Sequence, residues 1–148
     1  MEMTGEQLIA LPQQATWDAL NDTAVLKDCI PGCDSLEKQS DTEYLLTMIA
    51  KVGPVSAKFK GRMTLLEVQA PDSYTLQFEG QGGVAGFAKG DAQVSLAPEG
   101  DGTRLSYSVK ASIGGKLAQV GARLIDGVAK KTAEQFFTAF NKRASSGA

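Results

Sequence analysis

The 148-residue sequence contains no histidine. Imidazole is the commonest base and metal ligand near neutral pH, so Ser-His-Asp and Cys-His nucleophilic systems are excluded in their usual form, together with most zinc sites. Cysteine is scarce as well: the chain has two, Cys29 and Cys33, both inside "CIPGC". A structural zinc site needs four ligands, and only Asp28 and Asp34 stand beside these thiols. The spacing is CxxxC rather than the CxxC of thioredoxin-like sites, and a reducing cytosol disfavours a stable disulfide. Pro31 disfavours the helical region for the residue before it, while Gly32 permits a left-handed cap. "CIPGC" is therefore expected to be a helix stop and a turn into a strand, with one or both small thiols packed inward.

Excess charge of either sign is missing too. Fifteen Lys and Arg against seventeen Asp and Glu leave a net charge of −2, without the basic surplus of a general nucleic-acid binder. No run of about 18 apolar residues is present, and "MEMTGEQLIALP" has neither a positive n-region nor a long apolar core, so a cytoplasmic protein is expected. Hydrophobic residues make up 43% and charged residues 22%, the balance of an ordinary globular protein. A chain of this length can bury a core without a disulfide or metal to staple it. One domain is expected over residues 1–143, followed by a disordered tail at 144–148.

What is present is mostly strand. "EMTGEQLIAL" reads as a strand, and "PQQATWDALND" follows as a helix, with Pro12 suited to a first turn and Trp17, Leu20 and Ala24 at helical spacing. A second short helix covers "TAVLKDCI". From Asp34 to Ile113 apolar and polar residues alternate with period two. Val55, Ala57, Phe59, Met63 and Leu65 share one parity, opposite Ser56, Lys58, Lys60, Arg62 and Thr64. Tyr44, Leu46 and Met48 follow the same period, as do Tyr74, Leu76 and Phe78, and Leu105, Tyr107 and Val109. Turn chemistry separates these runs at "VGPV", "APDS", "EGQGGVAG" and "PEGDGT".

The last element begins near Gly115 and reads as one long helix whose apolar stripe is Leu117, Val120, Leu124, Val128, Phe136 and Phe140. A curved antiparallel sheet wrapped around this helix would bury both apolar faces, with two short helices closing one end, an α+β architecture. Bulky Phe59, Met63, Phe78 and Tyr107 mixed with Gly121, Ala122 and Gly127 leave two outcomes open: close packing of sheet on helix, or a cavity. If a cavity forms, its candidate lining is Met48, Phe59, Met63, Phe78 and Tyr107 from the strands and Leu117, Val120, Leu124 and Val128 from the helix. Phe87 is a candidate plug from the glycine-rich loop.

Four segments in order, "CIPGCDSLE", "AKVGPVSAKFKGRMTLLEV", "GGVAGFAKGDAQVSL" and "GTRLSYSVKASIGGKLAQVGARLI", resemble the carbon monoxide dehydrogenase G-subunit family of the START-like (SRPBCC) helix-grip superfamily. The resemblance covers nearly the whole chain. It implies a helix-grip fold with a hydrophobic cavity, a bound quinone or lipid, and partnership with molybdenum hydroxylase subunits of the carbon monoxide dehydrogenase type. Some family members continue into a linker and a membrane-anchoring C-terminus, whereas this sequence stops at Ala148. Membrane contact is therefore expected to be peripheral, at the inner face of the cytoplasmic membrane and through partners.

Other motifs have plainer readings. "GQGGVAG" sits between two strands and opens no helix, so a phosphate-binding role fails on context. Lys58, Lys60 and Arg62 form a basic row on the outer sheet face, either solvated or facing an acidic partner or lipid headgroups. Lys130 and Glu134 are a helical pair four apart. The expected function is a binding accessory and not an enzyme. Two alternatives stand: an assembly or recruitment factor without a small ligand, and a cyclase- or hydratase-like enzyme with Tyr44, Tyr74 or Tyr107 as its acid and a carboxylate as its base. Few Asp or Glu residues fall on the inward parities to serve as that base.

Overall fold

A computed structural model describes residues 1–146. The first strand, β1 (Glu2–Ile9), leads into two short helices, α1 (Gln13–Leu20) and α2 (Thr23–Cys29). Six strands follow: β2 (Cys33–Lys38), β3 (Glu43–Val52), β4 (Val55–Gln69), β5 (Ser73–Gln81), β6 (Phe87–Glu99) and β7 (Gly102–Gly114). A single turn of helix, α3 (Lys116–Gln119), precedes the long α4 (Ala122–Ser146). The strands form one antiparallel seven-stranded sheet in the order β1-β7-β6-β5-β4-β3-β2. Hairpins join β3 through β7 at the four turns expected from the sequence. The first strand closes the far edge by pairing with the last, Gly5 opposite Tyr107 and Gln7 opposite Leu105.

The two short helices expected after the first strand are both present, and local contacts separate them. The side-chain amide of Asn21 donates back to the Trp17 carbonyl at 2.9 Å, ending α1. Asp22 then accepts from the Ala24 N–H at 2.9 Å and caps α2, placing Ala24 in the second helix. That helix stops at "CIPGC" as its Pro-Gly pair requires, and Gly32 adopts φ +73°, a region open to glycine without steric penalty. Cys29 is buried in the core, Cys33 lies half-buried on β2, and both are free thiols.

The C-terminal segment is not one helix. Gly121 takes φ +98° and separates α3 from α4, so Leu117 and Leu124 belong to different elements. The continuous stripe read from the sequence fails for a second reason. Steps of four residues advance about 40° beyond a full turn, so Leu124 and Phe140, sixteen residues apart, sit about 160° from each other around an ideal helix. The face that meets the sheet is Ala129, Ala133, Phe136, Phe137 and Phe140. At the other end, no glycine or proline interrupts Arg143 through Ser146, and the helix runs through 144–146, where a tail was expected. The remaining tail positions, 147 and 148, lie outside the described residues.

The main core gathers Ile9, Trp17, Leu20, Cys29, Tyr44, Leu65, Tyr74, Leu96, Leu105, Phe137 and Phe140. Full burial of such side chains stabilises by roughly 1.5–3 kcal/mol each. A smaller cluster of Phe59, Ala85 and Leu117, flanked by Met48, Ala50 and Ile113, fills the opposite end. Polar ties fix the helices to the sheet. Thr103 Oγ1 on β7 donates to the Leu11 carbonyl at 2.7 Å, and the Thr16 hydroxyl on α1 lies 3.3 Å from Thr103 Oγ1. Asn141 accepts from the Ala10 N–H and donates to the Leu8 carbonyl, covering the end of the edge strand β1. An Arg143–Asp28 ion pair links α4 to α2.

Candidate functional site

A cavity of about 420 Å³ lies between α4 and the curved sheet. Its existence follows from side-chain size. The helix presents Ala129, Thr132 and Ala133 toward the inward parities of β3 to β7, and these short side chains do not reach the sheet. Phe136 and Phe137 bound it on the helix, while Leu20, Leu26, Ile30 and Pro31 bound it from α1, α2 and the helix stop. The sheet contributes Tyr44, Met63, Leu65, Tyr74, Leu76 and Tyr107, among others. The volume falls in the roughly 300–1,000 Å³ range of small-molecule sites. The choice left open by the sequence, packed or hollow, is settled by the small face of α4.

Among the described residues lining the cavity none is charged, and the polar ones are Asn21, Tyr44, Tyr74, Tyr107 and Thr132. The three phenols are held neutral. Burial pushes Tyr74 well above the ordinary tyrosine range, with nearby Tyr44 adding to the effect. Burial also raises Tyr44, aided by Asp41, and raises Tyr107, aided by Glu134. Trp17 braces Tyr74 edge-on with ring centroids 5.4 Å apart, and Tyr107 stacks on Phe137 at 5.5 Å. The Tyr107 ring lies across Gly5, where a β-carbon would come within 2.4 Å of its hydroxyl oxygen.

Of the residues nominated from the sequence, the structure brings Met63 and Tyr107 to this cavity. The others go elsewhere. Phe59 and Leu117 are buried in the smaller cluster, with Met48 packed against them. Phe78 keeps its inward parity opposite Met63 but does not line the cavity. Val120, Leu124 and Val128 border a separate surface hollow with Arg123 and Lys131. Leu124 there lies against the β3–β4 turn, 2.6 Å from where a β-carbon on Gly53 would stand. Phe87 covers Gly114 at the end of β7 and is not among the residues that line the cavity. Its loop forms a short 3₁₀ turn, Gly83–Ala85, with Ala85 buried. The basic row is partly paired on the outer face, Lys58 with Asp34 and Arg62 with Glu43, each at 3.2 Å.

Sequence reasoning passed over Ala129, Thr132, Ala133 and Phe137, and it treated Tyr44 and Tyr74 only as catalytic acids. A signal for the first group was present in the small residues at positions 129 and 133, one helical turn apart. Among the described residues no group of three His, Cys, Asp or Glu side chains is placed to hold a metal ion. Burial raises both thiols, Cys29 and Cys33, above their ordinary range, which reduces their nucleophilic character.

The sequence pattern of the carbon monoxide dehydrogenase G-subunit (CoxG) family matches residues 5–145. The chain belongs to this family. No curated protein matches it in sequence. Among solved structures, it is similar to a conserved protein from Geobacillus kaustophilus, with a TM-score of 0.92 and 28% identity over 99% of this chain and 96% of that one. A START superfamily protein from Mycobacterium smegmatis superposes with a TM-score of 0.75 at 14% identity, over 99% of both chains. An aromatase/cyclase, Zhui, from Streptomyces sp. R1128 gives 0.72 at 10% identity, over 98% of this chain and 94% of that one. The fold of this CoxG family member is the START-like helix grip. None of its helices among the described residues is long and apolar enough to cross a membrane.

Proposed function

We propose that the protein binds an apolar, quinone-sized molecule in the cavity under α4 and serves as an accessory to a molybdenum hydroxylase of the carbon monoxide dehydrogenase type. The observation that carries this is the wall itself, hollow and lined without charge. Sequestering about 200 Å² of apolar ligand surface contributes roughly 5 kcal/mol at about 25 cal/mol per Å², before the costs of association are subtracted. Acid–base catalysis in the manner of a cyclase needs a base poised beside the acid. Here the tyrosines have no lining carboxylate as partner, which favours binding over turnover. Membership of a family described as a dehydrogenase subunit supports the accessory role. At the end of the molecule away from the main core, Val84 is 85% exposed and Leu124 39% exposed. Lys116 and Arg123 flank this end, and we assign it to peripheral contact with a membrane at the cytoplasmic face.

Mass spectrometry of an organic extract of the purified protein is expected to return a quinone or comparable lipid at near-stoichiometric amount. Titration of a stripped sample with a short-chain quinone should quench Trp17, because that ring touches Tyr74 of the cavity wall. An empty extract together with no saturable quenching would overturn the carrier function and favour an assembly factor.

A further inference from the structure

The cavity wall is apolar except at a few positions, and two of these are tyrosines buried as residues whose hydroxyls have no protein partner. Tyr44 is 3% exposed and Tyr74 9% exposed, so both are more than nine-tenths removed from solvent. Among the described residues neither hydroxyl makes a hydrogen bond to protein, yet no fully enclosed side-chain polar atom is left unsatisfied. The two hydroxyls therefore reach open space; Tyr74 also borders a hollow lined by Thr75, Gln93 and Ser106, but the space that both residues line is the cavity. Buried hydroxyls are almost always satisfied by protein, ordered water or ligand. We infer that Tyr44 and Tyr74 form a polar pole that hydrogen-bonds an oxygen on one end of the bound molecule, holding it head-inward beside Trp17.

The inference rests on the carrier function proposed above and narrows its ligand. A neutral head with a carbonyl or hydroxyl oxygen fits, because a phenol both donates and accepts. It can therefore hold a quinone by donating and the corresponding quinol by accepting. A carboxylate head does not fit, since no cation lines the wall and a buried unpaired charge is strongly disfavoured. Tyr107 is less suited to the pole, because its hydroxyl lies over Gly5 while its ring is stacked on Phe137.

The test uses menadione and methylnaphthalene, the same methylated bicycle with and without carbonyl oxygens, titrated calorimetrically into the full chain. Tyr74→Phe removes one hydroxyl and is expected to weaken menadione about five- to tenfold while leaving methylnaphthalene unchanged, the size of one neutral hydrogen bond. Tyr44→Phe should act in the same direction and serves alone if Tyr74→Phe fails to fold. Equal loss for both probes would mean that the rings only shape the wall, and it would overturn the polar pole. Unchanged menadione binding in both variants would overturn it as well, while leaving the carrier function standing. A wild type that takes up neither probe would overturn the carrier function and the pole together.

Discussion

Filling the cavity from the helix side gives a signed outcome. Ala133 stands on α4 at the cavity wall, and Ala133→Leu adds three carbons facing a space of about 420 Å³. Burying them gains about 0.8 kcal/mol per methylene-sized group, or roughly 2.4 kcal/mol. Against this stand a helix-propensity loss of a few tenths of a kcal/mol and side-chain ordering of about 0.5–1 kcal/mol. The net expectation is a gain of about 1 kcal/mol. In a filled core the same substitution would cost about 1–3 kcal/mol through overpacking, so the sign distinguishes the two. Urea unfolding of ligand-stripped protein measures it as a rise in midpoint at unchanged slope. The same variant should weaken binding of any cavity ligand. Leu124→Trp is the control: Leu124 borders the outer hollow, so bulk there should leave cavity binding unaltered. A loss of about 1 kcal/mol or more in Ala133→Leu, with ligand binding untouched, would refute the cavity.

The double substitution Cys29→Ser, Cys33→Ser should lower stability by roughly 1–3 kcal/mol, since a hydroxyl replaces a buried thiol at position 29, while ligand binding stays intact. Zinc bound stoichiometrically by the wild type and lost in this variant would contradict the packing role. A pH titration should show stability lost on the alkaline side. Burial raises Tyr44, Tyr74 and Tyr107 above their ordinary 10.0, so the unfolded chain gives up these protons first. The stabilisation is complete below pH 10.0 and drains as the pH climbs from there toward the raised values. Phenolate absorbance should then appear in step with unfolding, and Tyr74 ionising in protein that remains folded would refute the assignment.

Much of the fold was legible because strand alternation and turn chemistry are local. The parities of Phe59, Met63 and Leu65 on β4, the turns at Gly53 and Gly100, and the stop at Pro31–Gly32 depend on residues within a few positions of each other. The family resemblance added the helix-grip architecture, whereas the pairing of β1 with β7 across the whole chain is visible only in the structure. The site was legible only in part. Met63 and Tyr107 were nominated from parity and reach the cavity, but an inward parity does not say which of two clusters a strand residue joins. Phe59 and Met63 share a face of one strand, and the bend of the sheet sends one to the small cluster and the other to the cavity.

The sequence by itself determined the punctuation of the chain, the dry face of each strand and the absence of imidazole chemistry, because each is a property of neighbouring residues or of composition. Tertiary structure decided where the hollow lies. The break at Gly121 and the drift of a four-residue stripe around α4 turn Leu124 and Val128 outward and bring Ala129 and Ala133 over the sheet. The space exists because two short side chains on one element face long ones on another, and that distance is set only when helix and sheet are packed together.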